Sequence, residues 1–176
     1  MYPVTRFIAT LLKAPRSNSR DHNTISEITF RCRPWDLDMF FEMNNGRVLT
    51  LYDLGRFDLV LRIGLDKILR KNRWGLVVAG TTVRYRRRIR LFDKVSLRTK
   101  VAGIDERWVY IEQSMWVNGQ PCNSALLRTG VTSKGKAIET SVLLAELGVD
   151  GSDIKVGAWE QAWIDSEAQR PWPPSP

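Results

Sequence analysis

The sequence predicts an α+β fold in which an antiparallel sheet accompanies one long helix. In residues 47–64 the apolar positions recur every three or four residues, which is the period of a single helical face. The residues on this face are Val48, Leu51, Tyr52, Gly55, Leu59 and Ile63. Four strand-like runs follow this segment, and turn residues separate them. One helix followed by a meander of strands is typical of an α+β fold with an antiparallel sheet.

The chain divides into three parts. Residues 1–24 are predicted to form a helix and a connector, residues 25–148 the main domain, and residues 149–176 a further helix and a proline-rich tail. The first helix, at residues 5–13, is amphipathic with basic ends, so we expect it to pack on the domain. Peripheral contact with a membrane and a targeting role are the alternatives for this segment. The connector contains His22, the only histidine, which is predicted to lie in an exposed loop.

Alternation and turn chemistry predict the strands. Apolar and polar side chains alternate in residues 25–33, as they do in a half-buried strand. Asn118 and Gly119 favour a tight hairpin between the last two strands, because both residue types tolerate positive φ. The strands predicted after the long helix are Leu76–Leu91, Lys94–Ile104, Trp108–Val117 and Pro121–Thr132.

Two short helices are predicted after the sheet. Leucines at helical spacing indicate a helix over residues 139–147, which Gly148 ends. Residues 155–169 are predicted to form a second helix that carries Trp159 and Trp163 on one face. The prolines beyond it prevent regular structure, so the chain ends in a tail.

The composition suits a domain that folds without disulfides or metals. The chain has 176 residues, of which 43% are hydrophobic, and this length is sufficient to bury a core. Cys32 and Cys122 lack the spacing of a metal or redox site, so we interpret them as small buried residues. No metal and no cofactor is predicted.

The net charge is +8, and the excess lies in the body of the chain, since residues 139–176 carry seven acidic and only two basic residues. This excess of positive charge favours binding of polyanions, namely a nucleic acid, a membrane surface or a phosphate-rich ligand such as coenzyme A. Charge alone does not choose among them. No stretch reaches the roughly 18 apolar residues of a membrane span, so the cytoplasm is the expected compartment.

Residues 35–46 concentrate polar groups directly before the long helix. They include three carboxylates, Asp36, Asp38 and Glu42, and two amides, Asn44 and Asn45. Asp, Asn and Gly favour turns, so this segment is predicted to be a loop that delivers polar groups to the start of the helix. Asp36 itself is interpreted as a hydrogen-bond acceptor within the loop.

The motif Asp-x-x-x-Glu-Met-Asn-Asn-Gly at residues 38–46, with Leu-Tyr-Asp-Leu-Gly-Arg at residues 51–56, resembles the signature of the hotdog-fold acyl-CoA thioesterases related to 4-hydroxybenzoyl-CoA thioesterase. The resemblance covers about residues 25–135. It implies a hotdog fold, an antiparallel sheet wrapped around a long central helix, here with extra N- and C-terminal helices. It also implies hydrolysis of an acyl-CoA to free acid and coenzyme A, by a homodimer or homotetramer with active sites at subunit interfaces.

Asp38 matches the catalytic aspartate of this family, which acts as a nucleophile or as a general base on water. A carboxylate near a helix start can provide such chemistry, and the alternative is an Asx turn or a helix cap. The backbone N–H groups of Asn44, Asn45, Gly46 and Arg47 would have no partner within the helix, so they could polarise the thioester carbonyl. Capping of the helix by asparagine is the alternative there, and both can hold together.

Glu42 occupies the position at which these relatives commonly have histidine. It could share a proton with Asp38, four residues away, or it could repel the charge of Asp38 and mark a weak or lost activity. Asp53 on the long helix is the reserve catalytic candidate, because some hotdog branches place their carboxylate on this helix. Pairing of Asp53 with Arg56, three residues later, is the alternative.

A cluster of arginines surrounds Tyr85 in the first predicted strand after the helix. Because strand side chains alternate, the sequence predicts that four of them share one face, which either is solvated or binds the phosphates of coenzyme A. These four are Arg84, Arg86, Arg88 and Arg90. No RNA-binding motif accompanies them, so no nucleic acid is expected.

The leading interpretation of the sequence is an acyl-CoA thioesterase. One alternative is a hotdog protein that binds acyl-CoA without turnover. The other is a basic protein that associates with nucleic acids or membrane surfaces.

Overall fold

A computed structural model describes residues 3–13 and 24–174 of the chain. The described residues do not include the predicted connector with His22, residues 1–2 or residues 175–176. The helices are α1 (Val4–Lys13), α2 (Asn45–Arg62), α3 (Leu65–Asn72), α4 (Thr140–Leu147) and α5 (Ala158–Ala168), and a 3₁₀ turn covers Pro34–Asp36. The strands are β1 (Ser26–Arg31), β2 (Gly75–Tyr85), β3 (Lys94–Ile104), β4 (Val109–Val117), β5 (Gln120–Ser133) and β6 (Lys136–Ile138).

The strands form one antiparallel sheet in the order β1-β3-β4-β5-β2, with the short β6 paired to β5. β1 and β2 are therefore the two long edges of this sheet. The sheet curls around α2, which contacts both β1 and β3. Leu51, Tyr52 and Leu54 of α2 are buried against sheet residues such as Leu97 and Met115. This is the hotdog arrangement of a sheet wrapped around a central helix, and the predicted fold is confirmed.

α2 comes closest to the sheet at Gly55. A Cβ atom at this position would overlap Oγ1 of Thr99 and lie 2.9 Å from Nε2 of Gln113, so only glycine fits. The Gln113 side chain is fully buried, and its amide donates to the carbonyl of Tyr52 and to Thr99 Oγ1, each at 2.9 Å. Its hydrogen bonds thus compensate for the burial of this polar group beneath the helix.

The terminal helices pack on the domain as the sequence predicts. In α1, the ring of Phe7 lies edge-on to Phe57 of α2, with 4.7 Å between the ring centroids. In α5, the ring of Trp163 lies edge-on to Tyr110 of β4 at 6.4 Å, whereas Trp159 is exposed. Among the described residues, no helix is both long and apolar enough to cross a membrane.

The predicted strand over residues 76–91 is wrong in its second half, because β2 ends at Tyr85. The N–H groups of Arg86 and Arg87 both donate to the carbonyl of Cys122, at 2.8 and 2.9 Å. Two consecutive N–H groups that point the same way cannot continue the alternation of a strand. The prediction that Arg84, Arg86, Arg88 and Arg90 share one strand face is therefore wrong.

Smaller differences concern element ends. α2 begins at Asn45, two residues before the predicted start. The short β6 was not predicted from the sequence. The Asn118–Gly119 hairpin is confirmed, with φ of 49° and 73° at its two residues.

Candidate functional site

The loop before α2 is built around the buried carboxylate of Asp36, which has no exposed surface. Its Oδ2 lies 2.7 Å from Nη2 of Arg6, and its Oδ1 lies 3.2 Å from Nε of Arg47. The backbone N–H of Arg33 also donates to Oδ2 at 2.8 Å, and the N–H of Asn44 donates to the Asp36 carbonyl at 2.9 Å. Asp36 is thus the anchor that joins α1, the loop and the start of α2, a role that the sequence did not reveal.

Residues 37–43 form a narrow antiparallel turn above this anchor. Leu37 pairs with Met43, and the N–H of Asp38 donates to the carbonyl of Glu42 at 2.8 Å. This pairing places Asp38 opposite Glu42 across the turn. The structure therefore pairs the backbones of the two acidic residues, Asp38 and Glu42, that the sequence predicted could interact.

Asp38 uses only one of its carboxylate oxygens within the loop. Its Oδ1 accepts a hydrogen bond from the N–H of Phe40 at 2.8 Å, with a longer contact of 3.5 Å from the N–H of Glu42. This is the Asx turn predicted as the alternative role. Oδ2 has no hydrogen-bond partner within the described part of the chain. Asp38 is therefore held in place by one oxygen and keeps the other available.

Glu42 has a cation as its partner. Its Oε2 lies 2.8 Å from Nε of Arg88, and its backbone pairs with that of Arg90. The negative charge beside Asp38 is thus balanced by a guanidinium. The ion pair also holds the arginine segment against the loop.

The start of α2 offers backbone donors. Asn44 caps the helix, since its Oδ1 accepts the N–H of Arg47 at 3.1 Å, so the predicted alternative of capping is confirmed. The N–H of Asn44 donates to the Asp36 carbonyl, so the prediction that the N–H groups of Asn44 and Arg47 are free donors is wrong. The N–H groups of Asn45 and Gly46 have no partner among residues 3–13 and 24–174. The hydroxyl of Tyr85 lies 3.5 Å from the Asn45 carbonyl, which places the end of β2 beside the helix start. Two free amides at the positive end of a helix dipole attract negative charge.

The arginines lie at the same end of the molecule as the loop. The side chains of Arg84, Arg86, Arg87, Arg88 and Arg90 are all exposed. They reach this position because β2 ends next to Asn45 and because the Glu42–Arg90 pair returns the chain to the loop. The sequence predicted a shared strand face for four of these arginines and did not predict that they lie near the loop.

Asp53 lies farther along α2 and pairs with Arg56, as the sequence indicated. Arg56 also donates to Oε1 of Gln113 at 2.7 Å. Burial raises the pKa of the Asp53 carboxyl, although the Arg56 guanidinium opposes this rise. A carboxyl with a pKa raised by burial is a candidate for acid–base chemistry.

An apolar cavity of about 370 Å³ lies between α2, the sheet and α4. Asp53 and Arg56 provide its charged wall, and leucine, valine and isoleucine side chains provide most of the rest, among them Val60, Ile63, Val78, Ile111, Leu143 and Leu147. No residue of the loop at 36–47 lines it. The candidate residues thus fall into two places, the loop with the start of α2, and Asp53 at the cavity. Sequence reasoning missed the cavity, because its walls come from distant segments.

No group of three or more His, Cys, Asp or Glu side chains within the described ranges could hold a metal ion. The two cysteines are free and buried. Burial raises the pKa of the Cys32 thiol to about 11, so this thiol is a poor nucleophile at neutral pH.

Comparisons with known proteins agree with this architecture. The chain is 40% identical over 80 residues to protein THEM6 of Xenopus laevis, an alignment that covers 46% of this chain and 39% of that protein. It is 37% identical over 83 residues to protein THEM6 of Drosophila melanogaster, covering 47% of this chain and 43% of that protein. The matched part therefore spans less than half the length of these relatives.

Solved structures with the same fold carry thioesterase names. YbaW, a probable thioesterase from Escherichia coli, superposes with a TM-score of 0.65 at 20% identity, covering 69% of this chain and 96% of that one. A thioesterase from Thermus thermophilus, solved with coenzyme A and zinc, superposes with a TM-score of 0.59 at 23% identity, covering 70% and 95%. At these identities the likeness establishes the hotdog fold. The model of the thioesterase-like superfamily matches residues 32–155, well over half of the sequence, and the chain belongs to this superfamily.

Proposed function

We propose that this protein hydrolyses the thioester of an acyl-CoA to a free acid and coenzyme A. The observation that carries this proposal is the free Oδ2 of Asp38 in the same loop that presents the free amides of Asn45 and Gly46 at the start of α2. Hydrolysis requires an activated oxygen nucleophile and donors for the oxyanion that develops on the carbonyl. The loop and the helix start contain both kinds of group.

In the proposed mechanism, the thioester carbonyl accepts hydrogen bonds from the N–H groups of Asn45 and Gly46. Asp38 takes a proton from a water molecule, and the water oxygen bonds to the carbonyl carbon. The carbon–sulfur bond then breaks, and the coenzyme A thiolate leaves and is protonated. In a second form, Asp38 attacks the carbonyl carbon directly, and the carbon–sulfur bond breaks as coenzyme A leaves as a thiolate. Water then hydrolyses the resulting anhydride, which releases the free acid and restores Asp38.

The exposed arginines are proposed to bind the phosphates of coenzyme A. Guanidinium groups suit phosphate oxygens, and Arg84 and Arg86 flank Tyr85 beside the start of α2. Binding of an acyl-CoA should therefore weaken as salt rises, and Arg84→Gln and Arg86→Gln should weaken it further. Equal affinity for an acyl-CoA and for the corresponding acyl-pantetheine thioester would contradict this role.

A second arrangement uses Asp53, because this carboxyl lines the apolar cavity and burial raises its pKa. An aliphatic acyl chain would then occupy the cavity with its thioester near Asp53 and Arg56. A third possibility is a protein that binds acyl-CoA without hydrolysis, since Glu42, which pairs with Arg88, stands where relatives commonly have a histidine.

We also infer that two copies of the chain pair through β2. This strand is a sheet edge, with β5 on one side only, and Leu76, Val77 and Val78 are exposed on it by 44%, 38% and 49%. Long apolar edges are normally covered in native proteins. Because Tyr85 ends this strand beside Asn45, pairing at β2 would bring a partner close to the start of α2.

The test is release of free thiol from a panel of acyl-CoAs of graded chain length. Asp38→Asn should lower kcat by about 10² to 10⁴, which is the usual contribution of a general base. Asp66→Asn is the matched control, because Asp66 pairs with Arg70 on α3, away from both candidate places. Full activity in Asp38→Asn together with loss of activity in Asp53→Asn would favour the second arrangement, in which Asp53 is the catalytic carboxylate. Tight binding of acyl-CoA without release of free thiol would favour the third possibility, a binding protein without hydrolysis.

A further inference from the structure

Large apolar side chains are exposed around the loop before α2. Trp35, Met39, Phe40 and Phe41 are exposed by 68%, 82%, 69% and 79%. Single exposed apolar residues are ordinary, but a contiguous group on one loop marks an interaction surface. These side chains are not needed for the chemistry proposed above, which uses the polar groups of the same loop.

A second loop adds to this surface. Leu91 and Phe92 are exposed by 39% and 55%, and they follow Arg90, which pairs with Glu42 of the first loop. The N–H of Met43 also donates to the carbonyl of Ile89 at 2.8 Å, so the two loops are joined. We call Trp35, Met39, Phe40, Phe41, Leu91 and Phe92 the aromatic end of the molecule.

Both loops hold a phenylalanine in an unfavourable backbone conformation. The φ angles of Phe41 and Phe92 are 58° and 64°, in the left-handed region that bulky residues rarely adopt. Burial of these rings within the chain does not offset this cost, since both rings are exposed. Backbone strain of this kind clusters at sites where a side chain is presented to a ligand.

Cations surround the aromatic end. Arg33, Arg86, Arg87, Arg88 and Arg90 are exposed within or beside the two loops. Most nearby carboxylates have partners that reduce their field. Asp36 is buried with Arg6 and Arg47, Glu42 pairs with Arg88, and Asp93 accepts the N–H of Arg90 at 2.7 Å. The surface is therefore apolar at its tip and positively charged at its rim.

We propose that the aromatic end docks on an anionic lipid surface. Exposed aromatic and long apolar side chains enter the boundary between headgroups and acyl chains, and arginines at the rim meet the anionic headgroups. The group protrudes instead of forming a groove, which suits a deformable lipid surface better than a rigid protein. A second copy of the chain fits poorly, because two-fold contact at this end would bring the arginine rims together.

Sedimentation with vesicles tests this proposal without any thioester. The full chain is mixed with phosphatidylcholine vesicles that contain or lack phosphatidylserine, at low and at physiological salt. Binding is expected only when phosphatidylserine is present, and it should weaken as salt rises. Absence of binding to the anionic vesicles, or equal binding to both kinds, would overturn the proposal.

The first variants replace Phe41 and Phe92, the two phenylalanines with a left-handed backbone conformation. Phe41→Asn and Phe92→Asn remove the rings, and asparagine adopts positive φ more readily than phenylalanine, so these variants should fold at least as well as the parent. Together with Phe40→Ser, they should reduce vesicle affinity by about tenfold or more. Arg86→Gln and Arg87→Gln should each reduce it by about fivefold.

Trp159→Ser is the matched control, because Trp159 is an aromatic residue exposed by 52% on α5, away from these loops. Its vesicle binding should equal that of the parent. Loss of binding in the control, or unchanged binding in the ring-deleted variants, would overturn the proposal. Self-association of the parent that disappears in the ring-deleted variants would overturn it too, and would assign the aromatic end to a second copy instead.

Discussion

Nε of Arg88 lies 2.8 Å from Oε2 of Glu42, and the backbone carbonyl of Glu42 accepts the N–H of Asp38. This ion pair gives a cationic partner to the glutamate that stands where relatives commonly have histidine. Glu42 does not add an uncompensated charge beside Asp38, since a guanidinium accompanies it. The pair is mostly exposed on the arginine side, with 69% of the Arg88 side chain accessible, so its energetic effect is modest.

Because Glu42 and Arg88 form an ion pair, we expect substitutions at these two residues to have non-additive effects on kcat/KM. Arg88→Gln should leave Glu42 without its cationic partner, and it should lower kcat/KM for the best acyl-CoA by about two- to fivefold. The double variant Glu42→Gln with Arg88→Gln should recover part of this loss, because the unpaired carboxylate disappears. Rates measured against pH for the parent, both single variants and the double variant give the coupling. Purely additive effects of the two substitutions on kcat/KM would show that the pair does not influence hydrolysis. A separate variant, Glu42→His, tests whether the histidine of the relatives raises turnover.

Asp36 should be the most sensitive carboxylate for stability. Asp36→Asn leaves the guanidiniums of Arg6 and Arg47 without their buried counter-ion, and breaking such a pair costs about 3–5 kcal/mol of unfolding free energy. Arg6→Gln should cost less, because Arg47 still compensates for Asp36. Urea unfolding measures both variants, with Asp66→Asn as an exposed-pair control. Equal stabilities for Asp36→Asn and the control would contradict the anchoring role.

The raised pKa of the Asp53 carboxyl should make the stability of the protein depend on pH. Burial raises the pKa of its carboxyl above the ordinary value of 3.8, so the folded protein binds this proton more tightly than the unfolded chain does. The contribution of Asp53 to stability therefore falls as pH rises above that value and through the folded pKa. The unfolding free energy of the parent relative to Asp53→Asn should thus decrease as pH rises from the ordinary value of 3.8 towards neutrality. A constant difference across this window would show that burial does not perturb the group.

Because β2 is an exposed edge strand, we expect the protein to form a dimer through it. Light scattering during gel filtration should give about twice the 20.2 kDa chain mass, and Val78→Lys should shift the protein towards the monomer. Val142→Lys is the matched control, because Val142 is exposed by 45% on α4 and Val78 by 49% on β2. A parent that elutes with the mass of one chain would contradict pairing through this strand.

The sequence by itself determined the elements whose signals are local. The three- to four-residue period predicted α2, alternation at residues 25–33 predicted β1, and Asn118–Gly119 predicted its hairpin, since each depends on neighbours within a few residues. The loop motif at residues 38–46 indicated the hotdog fold, which the structure and the family match confirm.

Tertiary structure alone decided how the site residues are partnered. Arg6 reaches Asp36 across 30 residues, and the Cys122 carbonyl ends the strand at Tyr85 by taking two consecutive N–H groups, so no local pattern could reveal either contact. The cavity and the joined loops of the aromatic end likewise bring together segments distant in the chain. The physical reason is that a residue's type and spacing fix its local conformation, whereas its partners depend on how distant segments pack.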